Sequence, residues 1–172
     1  MIEIISKSKK NLLKKEIGEI CALKDEHWKY GLNKQKTWFH KNVKEKDICN
    51  YIKYKNKIIG LTVLRKRTYL INKKKDKYYL FDTLVIKKKF RGKKFTRVLM
   101  ALNSYIISNE NIISLLFCNL QHLKFYKKFG WNILNKKKLK IADYNLKSNG
   151  MVFNKFKLNN LKKKNLIFFT KF

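Results

Sequence analysis

The sequence predicts a single α/β (α+β) domain built on a mixed sheet, and three observations support this. The chain has 172 residues, which is about the length of one domain with one core. Residues 78–117 follow the order strand, basic loop, helix, strand, and such a βαβ unit places its two strands parallel. Residues 48–70 form two strand-like segments around Asn56, which is typical of an antiparallel hairpin.

The first half of the chain is predicted to contain one strand, two helices and this hairpin. The opening segment IEIIS has the composition of a short strand. Apolar residues at helical spacing predict a helix over 11–24 and a weaker one over 34–43. β-Branched and aromatic residues predict the hairpin strands at 48–55 and 58–70. The apolar stripe of the first helix consists of Leu13, Ile17, Ile20 and Cys21.

The central βαβ unit begins with the most strand-like segment of the chain, 78–86. This segment is apolar except at Asp82 and Thr83. The continuous apolar run 112–117 suits a strand that is buried on both faces of the sheet. Between them, five apolar residues at helical spacing predict a helix: Phe95, Val98, Leu99, Leu102 and Ile106.

The last third of the chain is predicted to add one helix and two strands. Aromatic residues at helical spacing predict a helix from about His122 to Phe129, which Gly130 ends as a left-handed C-cap. Segments 131–134 and 150–158 have the composition of antiparallel strands. We therefore expect about four helices flanking the sheet.

The chain is strongly basic, and two explanations for this remain open. The sequence has 43 Lys and Arg against 11 Asp and Glu, which gives a net charge of +32. Such a charge attracts polyanions such as nucleic acid, acidic membrane or phosphate-bearing cofactors. Only four of these cations are arginine, the residue that nucleic-acid readers favour. Lys, Asn, Ile and Phe have AT-rich codons and proline is absent, so drift in genome composition is the alternative.

The sequence has no pattern typical of a metal site, a disulfide framework or a membrane segment. Its three cysteines are widely spaced, with no CxxC and no His pair at zinc spacing. The N-terminus lacks the apolar core of a secretory signal, and no apolar run approaches the ~20 residues that span a bilayer. We expect a cytoplasmic protein without a metal cofactor. Its domain is predicted over 1–158, followed by a basic tail, 159–172, that suits weak contact with acidic membrane.

The loop at 87–95 is the first candidate binding site. It places a glycine among lysines and one arginine, between the end of a strand and the start of a helix. Helix N-termini present unpaired N–H groups and a partial positive charge, so this junction suits a phosphate. The loop lacks both GxxxxGK[ST] and GxGxxG, which excludes a P-loop and a Rossmann loop. The alternative is a solvated basic loop.

Two segments of the chain resemble motifs of the GNAT superfamily of N-acetyltransferases. Residues 84–100, LVIKKKFRGKKFTRVLM, resemble its acetyl-CoA-binding motif. Residues 119–131, NLQHLKFYKKFGW, are similar to the following motif, Asn-x-x-Ala-x-x-apolar-Tyr, which ends in an apolar-Gly-aromatic corner. The resemblance implies a GNAT-like domain with a mixed, mostly antiparallel sheet. In it, the parallel strands 78–86 and 112–117 splay to admit acetyl-CoA.

The resemblance also implies which residues bind acetyl-CoA. The amides of 91–96 would cradle the pyrophosphate, the backbone of 84–86 would pair with the pantetheine arm, and Asn119 would hydrogen-bond that arm. Lys94 and Thr96 replace small residues of the family pattern, and a lysine at positive φ costs ~1 kcal/mol. The implied cofactor-binding residues are Leu84, Val85, Ile86, Arg91, Gly92, Lys93, Lys94, Phe95, Thr96, Asn119 and Tyr126.

Two catalytic residues are implied in the same way. Tyr126 stands where the family has its general acid, which protonates the departing thiolate of CoA; the alternative is an aromatic packed on a helix face. Asp82 stands where many members have the base that deprotonates the amine, and its apolar neighbours suit a base. The alternative for Asp82 is a carboxylate paired with a lysine. The implied reaction is direct attack of a primary amine on the thioester.

The acceptor is expected over the strand ends, beside Trp28, Tyr30, Trp38 and the loop 135–149. The WKYG run at Trp28 and the Gly130-Trp131 corner resemble aminoglycoside N-acetyltransferases, which indicates a small-molecule acceptor. The alternative function is a non-catalytic, basic nucleic-acid-binding protein on a degenerate GNAT fold. The expected partners are acyl-CoA and an amine, and the sequence is compatible with a monomer or a homodimer.

Overall fold

The computed structural model describes residues 1–71, 73–134, 140–142, 149–154 and 166–171. Within these residues it contains four α-helices and nine strands. The helices are α1 (Lys14–Trp28), α2 (Leu32–Asn42), α3 (Phe95–Asn109) and α4 (Leu123–Lys127). The strands are β1 (Ile2–Ser8), β2 (Ile48–Tyr54), β3 (Lys57–Ile71), β4 (Lys74–Ile86), β5 (Ile113–Cys118), β6 (Asn132–Ile133), β7 (Lys140–Ile141), β8 (Asn149–Phe153) and β9 (Leu166–Phe168).

The strands form the predicted mixed sheet, in the order β1-β2-β3-β4-β5-β8-β6. Antiparallel pairs include β1 with β2, β2 with β3, β5 with β8 and β6 with β8. β4 and β5 are parallel, which confirms the βαβ prediction. β9 pairs antiparallel with β3 and parallel with β7, and neither pairing was predicted.

Helix α1 begins at Lys14 rather than at residue 11, because residues 9–11 form a 3-10 turn. Its buried face includes Ile20 and Cys21, as the apolar stripe predicts. The prediction that Leu13 belongs to this buried face was wrong, since Leu13 is 64% exposed. Leu13 lies just before the helix with extended backbone angles, φ −72° and ψ 151°, so its side chain does not follow the helical repeat.

The hairpin of β2 and β3 turns at Lys55 and Asn56. Both residues have positive φ, 47° and 58°. Two successive left-handed residues match the type I′ turn whose twist fits two antiparallel strands. The prediction that Asn56 marks the turn is confirmed, since asparagine tolerates this conformation better than most residues.

The parallel register of β4 and β5 joins Tyr78 to Ile113 and continues to Leu80 and Leu115. β5 is buried along nearly all its length, as its unbroken apolar sequence predicts. β4 continues to Ile86 and contains Thr83 at φ 57°, a left-handed residue inside a strand. A β-branched residue in this conformation is costly, so the surrounding fold must hold it there. The splayed opening implied by the resemblance stays a prediction.

The elements after β5 follow the predicted order. A 3-10 turn (Leu120–His122) leads into α4, which ends at Lys127, before the predicted end at Phe129. Gly130 has the predicted left-handed conformation, φ 81°, but the C-cap is Lys128, which has right-handed helical angles. A Cβ at Gly130 would meet the Phe153 ring at 3.2 Å, so space as well as conformation favours glycine. The predicted strand 150–158 is described as far as Asn154, and its remainder lies outside the described residues. Part of the predicted tail, Leu166–Phe168, is strand β9; the boundary at 158 stays a prediction.

The chain divides into two compact units. The first comprises Met1–Arg65 and Asp82–Asn103, and the second comprises Lys66–Phe81 and Ser104–Phe172. In the first unit, α1 and α2 pack an apolar cluster against β2 and β3, including Ile20, Phe39 and Leu61. In the second, a cluster includes Tyr78, Leu115 and Phe168. No helix among the described residues is long and apolar enough to cross a membrane.

Candidate functional site

The basic loop between β4 and α3 lies in the first unit and is anchored by an aromatic residue. Phe90 is buried, and its ring lies 5.3 Å from that of Tyr54 and 6.1 Å from that of Phe95, centroid to centroid. Lys87 donates its backbone N–H to the carbonyl of Ile59 at 2.8 Å. These contacts hold the loop at Lys87 and at Phe90. Its exposed residues are Lys88 and Lys89 before Phe90 and the four residues 91–94 after it.

That exposed part contains two residues at positive φ, Gly92 (79°) and Lys94 (62°). A Cβ placed on Gly92 would meet nothing within 4 Å, so conformation alone explains the glycine. Lys93 and Lys94 are exposed and Thr96 is half-buried. The Lys94 carbonyl accepts the N–H of Arg97 at 2.9 Å, so Lys94 opens helix α3. The loop therefore places a glycine with open space around it and two exposed lysines beside the first amides of a helix, which have no partner within that helix.

Arg91 ties this loop to its surroundings. Its Nε donates to the carbonyl of Ile86 at 3.1 Å, and its Nη2 lies 3.0 Å from Nδ1 of His27. Burial and the Arg91 charge lower the pKa of His27, which favours the neutral imidazole that can accept this hydrogen bond. Of the strand residues implied to bind pantetheine, Val85 and Ile86 are buried and Leu84 is half-buried.

A cavity of about 440 Å³ lies entirely within the first unit. Its walls contain the three aromatic residues that the sequence analysis placed near an acceptor. The lining residues are Lys24, Trp28, Tyr30, Lys34, Gln35, Trp38, Asp82 and Thr83. The loop 135–149, expected on the same site, lies outside the described residues except at 140–142 and 149.

Asp82 reaches this cavity from β4 but is already paired. Its Oδ2 accepts a hydrogen bond from Arg65 Nη1 at 3.0 Å, and its Oδ1 accepts one from the Thr83 hydroxyl at 3.3 Å. The side chain is 28% exposed. The ion pair matches the alternative considered for Asp82, except that the partner is an arginine, 17 residues away on β3, instead of a lysine.

Lys24 and Gln35 were not identified as site residues from the sequence. Lys24 is only 4% exposed, and its Nζ lies 3.4 Å from the centroid of the Trp38 ring. Burial lowers the pKa of Lys24 to about 8, against a raising contribution from Asp82. One signal was available: Lys24 falls on the apolar stripe of α1, four residues after Ile20, where a charged residue is unexpected. Gln35 carries no comparable signal.

Asn119 and Tyr126 lie in the second unit. Asn119 directly follows β5, is exposed, and accepts the N–H of His122 on its carbonyl at 3.0 Å. Tyr126 is half-buried on α4, with its ring 6.1 Å from that of Phe81 and 6.3 Å from that of Trp131. The position of Asn119 at the carboxyl end of a buried strand is as predicted; the roles of both residues stay predictions.

Comparisons with known proteins complete this picture. No protein-family model and no curated protein matches the sequence. Among solved structures, an acyl-CoA N-acyltransferase from Pseudomonas aeruginosa has a TM-score of 0.66 at 13% identity, covering 88% of this chain and 99% of its own. An acetyltransferase of the GNAT family from Staphylococcus aureus has a TM-score of 0.59 at 13% identity, covering 88% and 98%. The chain has the GNAT fold.

A third solved structure with this fold is of an enzyme named for a small-molecule substrate. An aminoglycoside 6'-N-acetyltransferase complexed with coenzyme A has a TM-score of 0.62 at 12% identity and covers 87% of this chain and 96% of its own. The GNAT fold confirms the resemblance that the two sequence motifs carried, and it accounts for their order along β4, α3, β5 and α4. Within the described residues, no group of three or more His, Cys, Asp and Glu side chains could hold a metal ion.

The three cysteines lie in the interior of the protein. Cys21, Cys49 and Cys118 are all free and buried. Burial raises the pKa of each thiol, most for Cys49, to about 12. A thiol with a raised pKa is a poor nucleophile, so these buried thiols are suited to a structural role.

Proposed function

We propose that the protein is an acetyl-CoA-dependent N-acetyltransferase that acylates a primary amine by direct attack. The observation that carries this proposal is the exposed loop with Gly92 at φ 79°, which opens helix α3 on a GNAT fold. Main-chain N–H groups at a helix N-terminus favour a phosphate, and the lysines beside them add positive charge. The loop meets the chemical requirements of a diphosphate site.

The residues around this loop fit acetyl-CoA. Gly92 leaves open space above the backbone, and the exposed Lys93 and Lys94 suit a diphosphate. The amides of 91–96 would hold the diphosphate and the backbone of 84–86 would hold the pantetheine arm. The resemblance to the GNAT motifs assigns Asn119 to the same arm and Tyr126 to the protonation of the thiolate. When bound, acetyl-CoA supplies an acyl group already activated as a thioester.

In the proposed reaction the amine nitrogen attacks the thioester carbonyl carbon, a carbon–nitrogen bond forms and the carbon–sulfur bond breaks. Asp82 accepts the proton that the amine loses, while its hydrogen bonds from Arg65 and Thr83 hold the carboxylate in place. Tyr126 donates its phenolic proton to the departing thiolate. The products are an N-acetylated amine and free CoA.

Cofactor binding is tested first. Addition of acetyl-CoA should raise the midpoint temperature of thermal unfolding, because a ligand that binds only the folded state stabilises it. Gly92→Ala should weaken this shift, since alanine at φ 79° is strained by about 1 kcal/mol. Gly18→Ala is the matched control: it lies within α1, and there is nothing within 4 Å of its Cβ position. The absence of any shift would contradict the proposal.

Catalysis is tested by release of the CoA thiol across a library of amines. Tyr126→Phe should slow the release by about a hundredfold, the usual loss when a general acid is removed. Tyr105→Phe, on an exposed tyrosine of α3, is the control for loss of a phenol. Equal rates in Tyr126→Phe and wild type would contradict the acid assignment. Tight, steeply salt-dependent binding to DNA or RNA without thiol release would support the nucleic-acid alternative instead.

A further inference from the structure

The cavity in the first unit contains hydrogen-bond donors that have no acceptor. Gln35 is 3% exposed, and its Nε2 has no hydrogen-bond partner in the described part of the chain. Lys24 donates no hydrogen bond to any described residue; its Nζ lies over the rings of Trp38 and, at 5.9 Å, Trp28. A buried donor without an acceptor, such as Gln35 Nε2, is costly because it loses water and gains no hydrogen bond, and the Lys24 ammonium has only the rings in place of water. A ligand that supplies acceptor atoms would remove this cost.

The charges that line the cavity favour an anion over a polycation. Lys24 and Lys34 line it, and its carboxylate, Asp82, is neutralised by the ion pair with Arg65. Both Asp82 oxygens already accept hydrogen bonds. A ligand with several ammonium groups would meet one carboxylate, Asp82, which Arg65 already pairs, against the two cations Lys24 and Lys34. A ligand carboxylate would find Lys24 and Gln35.

The size and walls of the cavity indicate a small, flat ligand. A volume of about 440 Å³ is in the lower part of the range for small-molecule sites. Trp28, Tyr30 and Trp38 offer ring faces and edges on which a planar group can stack. The cavity thus combines apolar walls with two polar groups at Lys24 and Gln35.

We propose that this cavity binds, as the acyl acceptor, a primary amine that carries a carboxylate and a flat apolar group, as an aromatic α-amino acid does. Lys24 and Gln35 bind the carboxylate, and the amine faces Asp82. The acceptor role rests on the proposed acetyltransferase function, while the binding itself is independent of it. A polyamine or an aminoglycoside is the wrong acceptor for this lining.

Three probes that share one skeleton test the proposal. L-Phenylalanine has the amine, the carboxylate and the ring; 3-phenylpropanoate lacks the amine; phenethylamine lacks the carboxylate. Binding is measured at pH 7 by tryptophan fluorescence without acetyl-CoA, since two of the three tryptophans line the cavity. Kanamycin, an aminoglycoside with several ammonium groups, is the polycationic comparison. We expect both carboxylates to bind at least about tenfold more tightly than phenethylamine or kanamycin. Equal or tighter binding of phenethylamine or kanamycin would overturn the proposal.

Variants locate the binding. Lys24→Met and Gln35→Leu should each weaken binding of the two carboxylates by about tenfold, and neither should weaken binding of phenethylamine. Lys36→Met, an exposed lysine on the same helix as Gln35, is the charge-matched control and should change nothing. Unchanged carboxylate binding in folded Lys24→Met would overturn the assignment.

The outcomes separate this inference from the function on which it rests. If acetyl-CoA raises the unfolding temperature but none of the carboxylates binds, the inference fails and the acetyltransferase proposal stands. If the carboxylates bind in a Lys24-dependent way but acetyl-CoA does not, the binding site stands and the acceptor role fails. Faster thiol release with L-phenylalanine than with phenethylamine supports both.

Discussion

Helix α1 carries two buried charges in opposite situations. Near its start, Glu16 accepts hydrogen bonds from the Tyr51 hydroxyl at 2.6 Å, from Lys53 and Lys7 at 3.0 Å, and from the Leu13 amide at 3.0 Å. Lys24 lies eight residues later, about 12 Å along the helix. It contacts two indole rings and forms no ion pair within 4.0 Å among the described residues.

The surroundings of Glu16 and Lys24 indicate different roles: Glu16 contributes to stability, and Lys24 to ligand binding. A buried charge whose partners are all supplied by the chain stabilises the fold, and its removal leaves other groups unpaired. A buried charge without such partners destabilises the folded state, because it loses its hydration. A bound ligand of opposite charge offsets this cost. We therefore expect substitutions at Glu16 to affect unfolding, and those at Lys24 to affect binding.

Removal of the Glu16 charge should have the largest effect on stability. Glu16→Gln leaves Lys7 and Lys53 without their carboxylate, so we expect a loss of about 2 kcal/mol in the free energy of unfolding. Urea denaturation at pH 7 measures it. The control is Glu26→Gln: Glu26 is on the same helix as Glu16, its exposed ion pair is with Lys87 at the end of β4, and its loss should cost less than about 1 kcal/mol. Equal losses of unfolding free energy in the two variants would contradict a special contribution of Glu16 to stability.

The Glu16 contribution should disappear in acid. Burial raises the pKa of Glu16, but the hydrogen bonds from Tyr51, Leu13, Lys53 and Lys7 outweigh it and lower the pKa from 4.5 to about 2. A lowered carboxyl pKa stabilises the fold fully above about 4.5 and progressively less as the pH falls toward 2. The difference in unfolding free energy between wild type and Glu16→Gln should shrink from pH 6 to pH 2.5. A constant difference would contradict this.

Binding of the carboxylate probe should depend on pH in the opposite range. Lys24 must be protonated to hold a carboxylate, and burial lowers its pKa to about 8. Asp82, Cys21 and Cys49 oppose this shift, and Arg65 adds to it. Affinity for 3-phenylpropanoate should fall as the pH rises above that pKa, approaching about tenfold per pH unit well above it. Titrations at several pH values in wild type and Lys24→Met measure the effect; a pH-independent affinity in wild type would exclude Lys24 from the site.

Removal of the Lys24 charge should have the smallest effect on stability, and in the opposite direction. The lowered pKa means that the fold disfavours the ammonium, so Lys24→Met should gain up to about 1 kcal/mol at pH 7, after loss of the contact with Trp38. The gain should be present below pH 8 and vanish toward 10.5, where the lysine is neutral in both states. Lys36→Met is the control. If Lys24→Met lost as much unfolding free energy as Glu16→Gln, Lys24 would be a stabilising residue and the proposed difference between the two charges would be wrong.

Most of the elements could be predicted because short-range patterns specify them. The apolar run of β5 and the spacing of Phe95, Val98 and Leu99 in α3 are local features, and both predictions are confirmed. Asn56 marked a turn by its own conformational preference, and Gly130 has the predicted left-handed conformation although α4 ends earlier, at Lys127. Strand β9 was missed, because three residues within a Lys-rich tail become a strand only by pairing with β3.

By itself, the sequence determined the mixed α/β architecture, the basic loop that opens α3 and the two motifs of the GNAT fold. Each depends on residues that are close together in the chain. Only the tertiary structure decided that Arg65 pairs with Asp82, that Lys24 faces Trp38, and that the Gln35 Nε2 atom is buried with no hydrogen-bond partner among the described residues. The physical reason is that pairing and burial depend on which surfaces the fold brings together, and spacing along one helix or strand carries no information about its neighbours.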